Sequence, residues 1–236
     1  MIPFPVRYAE LNAVYGKTLG HGVSSLAVVG PEPGCGVSTL AHALARRGAA
    51  GGNKTLLVDV SMANPSVGPA LGLAAVDWRP GDESAVSSIV ALGDTGLSAL
   101  AAPRSIVGAW AFRDGDALRR QVVTWLEHFD RVVMDPSPLN RKNQQNIPSE
   151  MVCAACEGTV LVAQPGRTSE SSVLEAADRL RSAGANILGG VLNDQYMPPL
   201  AEELCRETYR LERWFPELMA ALRLVIRRSK LLGQEI

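Results

Sequence analysis

The sequence predicts an α/β protein built on a doubly wound, mostly parallel sheet, with a helical extension at its C-terminal end. Three observations carry this expectation. Short, wholly apolar runs alternate with segments of helical period, the pattern of parallel strands covered on both faces. The first of those runs leads through a Pro/Gly-rich turn directly into a helix. After Asp194 the alternation stops and only helical patterning remains.

The strands fall at Ser25–Val29, Thr55–Asp59, 97–101, Arg131–Asp135, 159–163 and Ile187–Leu192. Helices are predicted at 8–17, 39–47, 116–129, 149–156 and 169–183, with Gly or Pro at nearly every junction. The stretch 74–88 has weak periodicity and contains Trp78, Pro80 and Gly81, so it is expected to be a surface excursion. At 236 residues the chain has room for one large domain and an appendage. The expected division is 1–195 for the α/β domain and 196–236 for the extension, with helices at 200–213 and 216–232.

In the second of these helices Phe215, Leu218, Met219, Leu222, Val225 and Ile226 recur at three- and four-residue spacing. Arg223, Arg227, Arg228 and Lys230 gather towards its end. Such a helix docks on its own domain, on a membrane surface or in a partner's groove.

Bulk properties exclude several classes. The formal net charge of -1 gives no whole-chain reason for nucleic acid to be a partner. Cys153 and Cys156 form a C-x-x-C, but no second pair or nearby histidine completes a tetrahedral metal site. His21, His42 and His128 lack metal-ligand spacing. No basic segment followed by an apolar stretch opens the chain, and no apolar run reaches the roughly 18 residues of a spanning helix, so a cytoplasmic protein is expected.

The segment 30–40, GPEPGCGVSTL, carries the chemistry. A buried strand entering such a turn and then a helix points successive backbone amides, and the positive end of the helix dipole, at an anion. Gly34 and Gly36 let the backbone approach phosphate, with Cys35 between them. Ser38 would hold Mg²⁺ and Thr39 would contact the phosphate chain. The phosphate-loop pattern G-x-x-x-x-G-K-[ST] is nevertheless broken. Val37 stands at the lysine position and Pro31 at that of the first glycine. That lysine places a compact positive charge against the β- and γ-phosphates, which valine cannot do.

Five segments in order now resemble one family. They are 30–40, 55–66 (TLLVDVSMANPS), 129–138 (FDRVVMDPSP), 158–169 (GTVLVAQPGRTS) and 183–194 (AGANILGGVLND). The first three look like the three nucleotide motifs of the bacterial tyrosine kinases (BY-kinases), cytoplasmic domains that regulate capsule and exopolysaccharide export and are relatives of the ParA and MinD ATPases. The last two resemble the same family in order and spacing. The resemblance covers roughly residues 8–194. It implies ATP or ADP with Mg²⁺ as cofactors. It assigns Asp59 to Mg²⁺ organisation and activation of the attacking hydroxyl, Asp135 to Mg²⁺ through water, and Asn193 to the adenine. It also implies a membrane polysaccharide copolymerase as partner and a homo-oligomeric ring.

The departures from the family point away from catalysis. Besides Val37, the second acidic position is Ser61 and the neighbouring arginine position is Ala63. The tyrosines are Tyr8, Tyr15, Tyr196 and Tyr209, with no terminal cluster, and the N-terminal Glu/Arg pattern is only partly met in Arg7 and Glu10. Three functions follow as expectations. The first is a degenerate, non-catalytic partner in exopolysaccharide synthesis. The second is an autokinase or ATPase with a substitute cation, from among Arg141, Lys142 and Arg167. The third is a membrane-surface switch anchored by the C-terminal helix.

Overall fold

A computed structural model describes residues 8–62, 64–104, 111–140, 147–194, 204–205, 208–209, 212–213 and 215–228. The chain forms two compact units, Met1–Asn193 and Asp194–Ile236.

In the first unit seven strands form one sheet. They are β1 (Ser25–Val29), β2 (Thr55–Asp59), β3 (Val90–Ala91), β4 (Leu97–Leu100), β5 (Arg131–Asp135), β6 (Gly158–Ala163) and β7 (Ile187–Leu192). Their spatial order is β3-β4-β2-β5-β1-β6-β7. Every pairing is parallel except that of β3 with β4, which is antiparallel. Strands β1, β2 and β6 are buried at every position, as runs covered on both faces must be. The doubly wound sheet expected from the alternation is the one found.

Helices α1 (Ala9–Lys17), α2 (Val37–Ala50), α3 (Val67–Leu71), α4 (Ser84–Ser87), α5 (Gly115–Leu126), α6 (Ser149–Ala155) and α7 (Glu170–Ser182) complete the unit. Two apolar clusters sandwich the sheet. One joins Leu26, Val28, Leu57, Val133 and Val162 to Leu11 of α1 and to Ala41 and Leu44 of α2. The other joins Ala27, Val58 and Val132 to Leu118 and Trp125 of α5, Val152 of α6 and Leu180 of α7. Cys153 and Cys156 are buried free thiols within the second cluster, and burial pushes Cys153 up to about 12. They are packing residues. Among the described residues no group of three or more His, Cys, Asp or Glu could hold a metal ion.

The expected surface excursion at 74–88 is corrected. Trp78 is buried, and its ring meets Phe112 edge-on at 4.9 Å and Trp125 at 5.7 Å. Its indole N–H donates to the Ala101 carbonyl at 2.9 Å, and that of Trp125 donates to Ala85 in α4 at 2.9 Å. The stretch is held by three aromatic side chains whose meeting no local periodicity reveals. The edge strand β3, two residues long, also escaped prediction.

In the second unit, α8 (Pro216–Arg228) matches the start of the expected final helix. Residues 229–236, and most of the segment expected as a helix at 200–213, lie outside the described residues, although Leu204, Cys205, Thr208 and Tyr209 are helical. Phe215, Leu218, Leu222, Leu224 and Val225 are exposed. Arg223, expected as part of a basic cluster, pairs with Glu212 at 2.6 Å and lies over the Tyr209 ring at 4.3 Å. Among the described residues no helix is long and apolar enough to cross a membrane.

Candidate functional site

The C-terminal ends of β1, β2, β5, β6 and β7 share one edge of the sheet, where ligands bind in open α/β folds. The turn after β1 occupies the centre of that edge. Gly34 and Gly36 adopt φ of 88° and 90°, and α2 starts immediately afterwards at Val37. The left-handed conformation is cheap only for glycine, which is why both positions need it. The first amides of α2 have no partner within the helix, so the loop presents donors as a phosphate nest does.

Val37 shows what has replaced the lysine. Its side chain packs against the apolar cluster beneath the loop. A Cβ placed on Gly30 would meet Val37 Cγ2 at 3.0 Å and Cys35 Cβ at 3.2 Å. Cys35 is buried, with its sulfur 3.5 Å from the Thr168 hydroxyl, which also accepts from the Gln164 amide at 3.0 Å. Thus the loop after β6 braces the loop after β1. Gln164 itself is buried, and its side-chain nitrogen has no acceptor among the described residues. Glu32 reaches the same β6–α7 region and accepts from Ser172 of α7 at 2.9 Å. A carboxylate on the phosphate loop opposes a polyanion.

Asn193, at the end of β7, donates from its side chain to the Cys35 carbonyl at 3.0 Å. A Cβ on Gly36 would run into that same amide nitrogen. A Gly36→Ala chain, strained at φ and displacing Asn193, should lose about 1–3 kcal/mol of stability, read from the urea midpoint.

Asp59 and Asp135 are register partners at the ends of β2 and β5, and both are buried. One Asp59 oxygen accepts from the Ser61 amide at 2.9 Å. The other accepts from the amides of Ser66 at 2.8 Å and Val67 at 2.9 Å, where it serves as a remote cap on α3. Asp135 accepts from the Ser66 hydroxyl at 3.0 Å and from that of Ser38. Burial raises both carboxyls. It pushes Asp135 up to about 7, the neighbouring Asp59 charge adding to the shift and the two serine hydroxyls opposing it. Ser61, at the second acidic position, shares a hydrogen bond with Ser137 at 3.1 Å. That neutral pair occupies a place where a carboxylate would have been a third buried charge.

The fold therefore gathers Gly34, Cys35, Gly36, Val37, Ser38, Thr39, Asp59, Asp135 and Asn193 along one edge. Arg141, Lys142 and Ala63 lie outside the described residues, and Arg167 is exposed in the turn before α7. Sequence reasoning missed Ser66, Ser137, Glu32 and Gln164. Of these only Ser66 had a signal, as a serine after Asn-Pro at the start of a helix.

No protein-family model matches the chain. The tyrosine-protein kinase CpsD of Streptococcus agalactiae is 26% identical over 176 residues, which are 71% of this chain and 74% of the relative. The kinase domain of the Escherichia coli tyrosine kinase ETK superposes with a TM-score of 0.65 at 20% identity, covering 75% of this chain and 69% of that one. The chain is similar to BY-kinase domains in sequence and shares their α/β fold. The likeness extends to the Pyrococcus furiosus cell division ATPase MinD, with a TM-score of 0.56, 22% identity and coverage of 78% and 79%. The doubly wound α/β fold expected from the ordered motifs is the one these solved structures share, and here it surrounds an altered phosphate loop.

The two cofactors implied by that kinship fit differently. The backbone nest formed by Gly34, Gly36 and the first turn of α2 suits an anion such as phosphate. The side chains do not suit Mg²⁺, because the oxygens of Asp59 and Asp135 already serve five donors, three amides and two hydroxyls.

Proposed function

We propose that this chain is a retired BY-kinase: a non-catalytic partner or regulator in exopolysaccharide synthesis and export. On this reading it acts in the cytoplasm, at the inner face of the membrane, on a membrane polysaccharide copolymerase. The observation that carries the reading is Val37, which stands at the phosphate-binding lysine position and, half-buried, packs against the apolar cluster. Phosphoryl transfer depends almost wholly on positioning and on neutralising phosphate charge. A loop with valine at position 37 and a carboxylate at Glu32 supplies neither. The scaffold around it is intact, and an intact scaffold is what a protein-protein role requires.

Calorimetric titration with ATP and ADP, with and without Mg²⁺, tests this on the native chain and on Val37→Lys. The native chain should give little or no heat. The lysine variant should gain about tenfold or more in affinity, the worth of one charge-assisted contact to phosphate. Tight nucleotide binding accompanied by turnover in the native chain would sink the proposal.

A further inference from the structure

The acidic pair makes a second statement about this site, one that rests on the retired-site reading for its meaning but not for its test. Ser66 is held from two sides. Its backbone amide is bound by Asp59 at 2.8 Å, and its hydroxyl donates to Asp135 Oδ2 at 3.0 Å. The same Asp59 oxygen holds the Val67 amide at 2.9 Å, and Ser61 occupies the other oxygen at 2.9 Å. Ser61, Ser66 and Val67 are thus tied at the ends of β2 and β5 by the two side chains that the family resemblance assigns to a metal.

We propose that Ser66 is an internal ligand that closes this acidic site to divalent cations, so that any phosphate bound on the loop is bound without a metal. Mg²⁺ and Mn²⁺ need oxygen lone pairs in near-octahedral arrangement. At Asp135 one oxygen faces the Ser66 hydroxyl proton, which repels a cation, and the carboxyl also accepts from Ser38. At Asp59 both oxygens face backbone protons that cannot rotate away. Admitting an ion means breaking charge-assisted hydrogen bonds and lifting the segment that carries Ser66. Nor does position 61 offer a replacement carboxylate, since Ser61 is engaged with Ser137 at 3.1 Å. The hydroxyls of Ser66 and Ser38 can each be removed by one substitution without disturbing the Asp59 contacts, and of the two only Ser66 also has its backbone amide held by Asp59.

The probe is Mn²⁺ alone, titrated into the full chain without nucleotide and followed by loss of the free-ion paramagnetic resonance signal. The native chain should show no saturable binding at millimolar ion. Ser66→Ala and Ser66→Gly both keep the backbone amide that Asp59 holds, and each should gain about tenfold or more in Mn²⁺ affinity. Adding Asp135→Asn to either should abolish the gain, and Ser66→Thr, which retains a hydroxyl, should behave as the native chain. Equal Mn²⁺ affinity in the native chain and both hydroxyl-free variants, whether all bind or none does, overturns the proposal. That failure would leave the nucleotide titration of Val37→Lys untouched, so the two readings stand or fall separately.

Discussion

Replacing Asp135 with asparagine should flatten much of the pH dependence of this chain's stability and leave the variant the more stable of the two at pH 8. Asp135 is wholly buried and its carboxyl is raised from the ordinary 3.8 to about 7, by desolvation first and by the Asp59 charge second. The sign follows from proton uptake. Between about pH 4 and pH 7 the folded chain holds a proton that the unfolded chain has already released. Stability therefore falls as pH rises through that window and is level above it. A shift of this size corresponds to a loss on the order of 2–4 kcal/mol between the two ends. Asparagine removes the charge that must form in the core. Its side-chain oxygen still accepts a serine hydroxyl, while its amide needs an acceptor of its own, so at pH 5 the variant should be the weaker chain. Asp59 should keep its upward shift in the variant, because burial sets it and the three backbone amides that oppose it remain. Urea unfolding of both chains at pH 5, 6, 7 and 8 checks this. Parallel stability curves would mean that Asp135 does not carry the titration.

The fold was legible because its signals are local. Wholly buried parallel strands show as uninterrupted runs such as Leu56, Leu57 and Val58, and the turn after β1 shows as glycines where only glycine is cheap. The motif residues Ser38, Asp59, Asp135 and Asn193 were legible for a related reason, since each stands at a strand end or helix start whose place in the order is fixed. What those residues do to one another was not legible. That Asp59 holds the amides of Ser61, Ser66 and Val67 depends on contacts made two, seven and eight positions further along the chain. That Ser66 reaches Asp135 depends on a contact across 69 positions of sequence. The missing lysine was visible, but the approach of the half-buried Val37 side chain to Gly30 was not, because a valine at a helix start has no preferred face until the loop above it is built. The aromatic cluster shows the same gap. Trp78 sits in a segment whose Pro and Gly content says loop, while the partners that bury it lie beyond position 100.

Trp78→Ala should be among the most damaging single changes in the first unit. Its indole fills the space between Phe112 and Trp125, meeting them at interplanar angles of 75° and 68°, and its N–H satisfies the Ala101 carbonyl. Truncation opens a cavity that two rigid rings cannot fill and leaves that carbonyl unpaired, which together cost about 3–5 kcal/mol. For a unit of this size the midpoint of thermal unfolding should drop by roughly 6–15 °C. Trp125 would lose its edge-on neighbour, so its fluorescence should shift to the red before the main transition. The damage should stay local to the β4 edge. Trp78 is attached beside Ala101 after β4, whereas the phosphate loop is anchored on β1, with β2 and β5 lying between the two strands. At a temperature where the variant remains folded, the contrast in Mn²⁺ affinity between Ser66 and Ser66→Ala should therefore survive in the Trp78→Ala background. If that contrast vanishes while the chain stays folded, the β4 edge and the acidic site are coupled through β2, and Asp59 at the end of β2 is the residue through which they would communicate.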